Sequence, residues 1–158
     1  MRRTLIALAL VLALPAGTVL AQTFGAVLTG SQEVPPTTSP GFGNATVSFT
    51  DATHTNINVT ITVSNLGSPI SNFHIHGPNG PAGTNANVAI NLIGLGGTFV
   101  NNKMTGTFPI DAANAAALIA HPENFYVNVH TTQFPGGAIR GNLAPVSGTI
   151  IKDRKSVV

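Results

Sequence analysis

Two stretches of this chain alternate so strictly between apolar and polar residues that they leave little choice of fold. Ala45, Val47 and Phe49 point one way while Thr46, Ser48 and Thr50 point the other. Seven residues further on, Ile57, Val59, Ile61 and Val63 share one face, with Asn58, Thr60 and Thr62 on the opposite one. A period of two belongs to a half-buried strand, whereas an amphipathic helix needs a period near 3.6. With a polar turn at 51–56 between them, the two runs predict a β-hairpin with one buried and one wet face.

The rest of the chain reads in the same way. Residues 24–29 predict a first strand, and residues 30–41, with Pro35, Pro36 and Pro40, a rigid loop that cannot lie in a central strand. A turn at 65–69 precedes a strand over 70–76, then a Gly/Pro/Asn loop over 77–83 and a strand over 88–93. Gly94, Gly96 and Gly97 mark a turn, and β character resumes less regularly over 98–108. Asp111 can cap a short Ala-rich helix from 112 to about 120, which must end before Pro122. Strands over 124–131, 138–143 and 147–151 complete the set, with a turn at 134–137. The expected fold is therefore all-β: a Greek-key β-sandwich or barrel of about eight short antiparallel strands with one small helix.

The N-terminus has a different character. Arg2 and Arg3 precede an unbroken apolar run over 5–14, which Pro15 and Gly17 interrupt before the small residues around Ala21. This is the pattern of a secretory signal peptide over 1–21. Even the 17 residues from Leu5 to Ala21 fall short of the roughly 20 needed to span a bilayer, so no membrane span is expected after cleavage. A single β-domain is expected over 22–151, followed by a flexible basic tail over 152–158. Secretion, or residence in a periplasmic or other extracytoplasmic space, follows.

Once Arg2 and Arg3 are removed, five basic residues balance five acidic ones, and Lys152, Arg154 and Lys155 crowd the tail. Such a domain has no basic surface to cover a nucleic acid. The chain has no cysteine, which excludes disulfides, thiol catalysis and thiolate metal ligands.

Three of the five histidines stand out by parity. In Phe73-His74-Ile75-His76 both histidines take the face opposite the apolar pair. In the run from Phe125 to His130, Tyr126, Asn128 and His130 take the face opposite Phe125, Val127 and Val129. If the two strands are neighbours, His74, His76 and His130 converge on one outer patch and form a candidate site for copper or zinc. Ring nitrogens within about 5 Å of one another would allow a shared ion; separations beyond about 10 Å would not. Tyr126 and Asn128 could add supporting hydrogen bonds. The plainer reading has these histidines as outward polar residues that pack the 77–83 loop onto the sheet. His54, in a turn, and His121, at a helix end, read as ordinary surface residues.

Glu33, held beside Pro35 and Pro36, and Arg140, the only arginine of the folded body, suggest an ion pair between the first and last strands. No catalytic motif is visible: there is no Gly-x-Ser-x-Gly, no His-Glu-x-x-His, no phosphate or helix-loop-helix calcium loop, and no paired glycosidase carboxylates.

Three segments carry a family resemblance: AVLTGSQEVPP at 26–36, FHIHGPNGPAG at 73–83 and YVNVHTTQFPGGAIRG at 126–141. In that order they resemble the CHRD (chordin-type) domain family, which implies an extracellular β-domain but no catalytic residue. Ala138 stands where an acidic residue is usual in that family. The paired histidines, and the later Val-His before a Gly-rich turn, are also faintly similar to copper/zinc superoxide dismutase. That family's disulfide cysteines and zinc-ligating aspartate are not evident here.

Three functions follow. The first is a non-enzymatic binding or structural module that contacts an extracellular protein, matrix or another copy of itself. The second is an extracytoplasmic copper- or zinc-binding domain. The third, more remote, is a redox enzyme of the superoxide-dismutase type using that metal.

Overall fold

The structure is a computed structural model and describes residues 22–146. The expected signal peptide over 1–21, the strand over 147–151 and the tail over 152–158 lie outside the described residues.

Among the described residues, nine strands and one α-helix follow in chain order: β1 Thr23–Thr29, β2 Phe42–Phe49, β3 Asn56–Ser64, β4 Ile70–His76, β5 Val88–Ile90, β6 Lys103–Pro109, α1 Ala112–Ala120, β7 Tyr126–Thr131, β8 Ile139–Asn142 and β9 Ala144–Pro145. They form one sheet in the order β5-β4-β7-β8-β1-β2-β3-β6, with β9 also paired to β1. Every pairing between these strands is antiparallel. The sheet curls so that both halves feed one apolar core, as in a sandwich, but β5 and β6 end the order without pairing to each other. Among the described residues the result is an open half-barrel, and the closed-barrel alternative is not realised.

The alternating hairpin is β2–β3, in the register Ala45↔Ile61, Val47↔Val59 and Phe49↔Ile57. All six of these side chains are buried. Removing such surfaces from water is the main drive for the sheet to curl. On the other half, Phe73 and Ile75 of β4 and Val127 and Val129 of β7 face the same core.

Helix α1 starts where the sequence places it. The Asp111 carboxylate accepts from the Asn114 backbone N–H at 2.9 Å, and Ala115 and Leu118 bury the inner face. Two strands are shorter than the apolar pattern suggests. β5 stops at Ile90 because the Asn91 side chain accepts from the Gly94 N–H (3.0 Å) and wraps the chain into a turn. β6 starts only at Lys103 because Asn101 and Asn102, with φ of 50° and 62°, form a tight turn. No helix among the described residues is long and apolar enough to cross a membrane.

Candidate metal centre

Strands β4 and β7 are neighbours, in the register Phe73↔Val129, His74↔Asn128, Ile75↔Val127 and His76↔Tyr126. Pairing in that register sends the four apolar residues to the core. His74, His76, Tyr126, Asn128 and His130 are left together on the opposite face. The His74 ring centroid lies 5.5 Å from that of His76 and 5.2 Å from that of His130. One nitrogen from each of the three rings lies within 4.8 Å of the other two.

Two of the rings are fixed in one tautomer. His76 Nδ1 and His130 Nδ1 each stand 2.9 Å from a carbonyl, of Ala86 and Pro135 respectively. A carbonyl only accepts, so both Nδ1 atoms carry the proton and both Nε2 atoms present a bare lone pair. Those two Nε2 atoms and His74 Nδ1 are buried without a hydrogen-bond partner. Burial pushes all three imidazoles below their ordinary pKa, His74 to about 4, with the neighbouring histidines adding to the shift at His74. At neutral pH the cluster is therefore uncharged and needs no deprotonation to act as a ligand set.

The strand parity gives the right face but the wrong accessibility. The outward face is largely covered: His74 is only 8 % exposed and Tyr126, Asn128 and Arg140 are buried, while His76 and His130 are half-buried. Segment 77–87 folds over Tyr126 and Arg140 and reaches His76. The Gly80 carbonyl accepts from Asn142 Nδ2 at 2.6 Å, the Ala86 N–H donates to the Tyr126 hydroxyl at 3.2 Å, and Asn85 Nδ2 donates to the Val34 carbonyl at 3.0 Å. The plainer reading, in which the histidines pack the 77–83 loop, is met only in part: the loop does lie on this face, but the histidine rings bond Ala86 and Pro135, outside 77–83. It leaves the three orphan nitrogens unexplained.

Tyr126 and Asn128 do not hydrogen-bond to the histidine rings as expected; backbone carbonyls do. Tyr126 instead stacks on His76, with centroids 4.7 Å apart and planes 3° apart. Asn128 Nδ2 donates to Glu33 Oε2 at 3.4 Å. The suggested Glu33–Arg140 ion pair is not formed either. The Arg140 guanidinium donates to Asn85 Oδ1 (3.1 Å) and the Thr84 carbonyl (2.9 Å), and lies 3.6 Å from the Tyr126 ring centroid. The Glu33 carboxyl, 5 % exposed, is pushed up to about 7 by burial, against the opposing pull of Arg140 and the Asn128 hydrogen bond. His54 packs against Phe49, with centroids 4.5 Å apart, and His121 pairs with Glu123 at 3.2 Å; neither joins the cluster.

The supporting carbonyls of Thr84, Ala86 and Pro135 carry no residue signature, so the sequence could not point to them. Asn142 had a signal: it shares the parity of Arg140 on β8 and sits opposite Tyr126.

A curled antiparallel half-barrel with a loop-capped polar face defines the class of domain. The chain belongs to the CHRD domain family, whose model matches residues 24–143, from β1 to just past β8. No curated protein matches the chain.

Proposed function

We propose that this CHRD domain is an extracytoplasmic metal-binding domain that takes copper, with zinc as the competing ion, through His74 Nδ1, His76 Nε2 and His130 Nε2. The observation that carries the reading is that three uncharged imidazoles bring one nitrogen each within 4.8 Å of the other two, and that each ring holds a buried nitrogen with no hydrogen-bond partner. Three nitrogens bound at 2.0–2.1 Å stand roughly 3.4–3.6 Å apart. A span of 4.8 Å therefore closes on an ion with shifts of about 1 Å, within reach of small side-chain rotations.

An all-imidazole set suits copper and zinc, and affinity for divalent ions peaks at copper. The carbonyls that orient His76 and His130 are the usual outer support of metal-bound histidine. The signal-like residues 1–21 support an extracytoplasmic setting.

The test is a titration of untagged, natively processed protein, stripped of metal, with copper and with zinc. The reading expects one ion per chain, copper bound more tightly, and binding lost in His74→Ala/His130→Ala. A folded wild type that binds neither ion contradicts it. Bound copper would open one-electron chemistry, so the copper-loaded protein is also the form in which to assay superoxide dismutation.

The module reading draws on one further observation. Val27 and Phe42, 63 % and 54 % exposed, are diagonal neighbours on the outer face of β1 and β2. Contact with an extracellular protein or matrix through this spot predicts that Val27→Ser/Phe42→Ser abolishes the association and leaves copper binding intact.

A further inference from the structure

We propose that Arg140 is the positioning residue of the metal centre and sets the orientation of His76 by two routes at once. This rests on the metal-binding reading above. The first route is segment 77–87. Arg140 Nη2 and Nη1 hold the Thr84 carbonyl and the Asn85 side chain. The next residue, Ala86, supplies the carbonyl that fixes His76 Nδ1. The second route is a stack: the guanidinium lies on Tyr126, and Tyr126 lies flat on His76. The ring that must aim Nε2 at the ion is thus gripped at its edge and across its face by elements that both lead back to one buried arginine.

A planar fork with two fixed donors and a stacking face can do this; the ammonium of lysine, a point charge on a flexible stem, cannot. Charge works the other way. A buried guanidinium stacked on the ring that in turn stacks on His76 repels an arriving metal cation. An arginine kept for its charge would weaken the site, so its contribution is geometric. The two roles make opposite predictions for two variants, because Arg140→Lys keeps the charge and loses the fork, whereas Arg140→Gln removes both.

The experiment compares wild type, Arg140→Lys, Arg140→Gln and Asn85→Ala. Asn85 is an exposed loop residue, so this last variant removes one of the Arg140 bonds to the loop, along with the Asn85–Val34 bond, while the Arg140 charge, its Thr84 bond and its stack on Tyr126 stay in place. Copper affinity and the electron paramagnetic resonance of bound copper(II) are read on the loaded protein. The tautomer of His76 is read by nitrogen NMR on the metal-free protein.

Positioning predicts that Arg140→Lys loses about 10- to 100-fold in copper affinity, the range seen when outer support of a ligand is removed. It also predicts an altered copper spectrum and mixed His76 tautomers, with Asn85→Ala showing the same changes in smaller degree. Arg140→Gln falls less than Arg140→Lys because it also relieves the repulsion. Wild-type affinity, spectrum and tautomer in both Arg140→Lys and Asn85→Ala overturn the proposal, as does tighter binding by Arg140→Gln than by wild type. A wild type with a single His76 tautomer but no metal affinity refutes the metal-binding reading instead. If the Arg140 variants fail to fold, Asn85→Ala decides alone.

Discussion

Replacing Glu33 by glutamine should make the protein's stability respond to pH in a way that can be worked out beforehand. Burial raises this carboxyl from an ordinary 4.5 to about 7. Between those values the folded chain holds a proton that the unfolded chain has released, so unfolding becomes easier as pH rises. The favourable contribution is complete below about pH 4.5, falls through the interval and is lost above about pH 7. At 1.36 kcal/mol per unit, the total change is about 3 kcal/mol. The glutamine side chain in Glu33→Gln would keep the shape and the contact with Asn128 but would not titrate. Denaturant unfolding followed by far-ultraviolet circular dichroism in chelator, from about pH 4.5 to 8.5, gives the difference between the two proteins. That difference should rise with pH in favour of Glu33→Gln by about 3 kcal/mol and level off above neutrality. A difference flat in pH, or one that favours wild type more as pH rises, would refute the assignment of Glu33 as a buried, proton-bearing group.

The histidine cluster should act in the opposite sense. His74, at about 4 when folded and 6.5 otherwise, contributes stability above pH 6.5 that is lost as pH falls toward 4. In the Glu33→Gln background, metal-free protein should therefore weaken on acidification, and adding His74→Asn should make that loss smaller, His76 and His130 still acting in the same sense; the same unfolding series checks it. Ile61→Ala, at a fully buried position in the β2–β3 hairpin, should cost about 2–5 kcal/mol, read as a lower denaturant midpoint with unchanged slope. Asp111→Ala removes the cap of α1 and should cost about 1 kcal/mol, seen as a small drop in melting temperature.

The sequence and the structure agree where periodicity decides. The alternation of 45–50 and 57–63 reproduces the β2–β3 hairpin, and the parity of His74, His76 and His130 puts them on one face because a strand's side chains can only alternate. Asp111 signals its helix because a cap needs a short acceptor at that point. What periodicity does not carry is the fate of non-repeating segments. The loop at 77–83 is legible as a segment that can pack on the histidine face, but nothing in the sequence says that its continuation at 84–85 separates Arg140 from Glu33. The partners of Arg140, the Thr84 carbonyl and Asn85, follow from the loop's path, and Glu33 is left to accept from Asn128 of β7. The opening between β5 and β6 is likewise set by turn chemistry at Asn91, Asn101 and Asn102, and the apolar residues around those turns mask it.

X-ray absorption by the one-to-one copper complex addresses the three-histidine centre most directly. The account predicts three imidazole nitrogens at about 2.0 Å, with the multiple-scattering signature of the rings, falling to fewer imidazoles in His74→Ala. A spectrum with no imidazole ligands, or one unchanged when His74, His76 and His130 are all replaced by alanine, would contradict it.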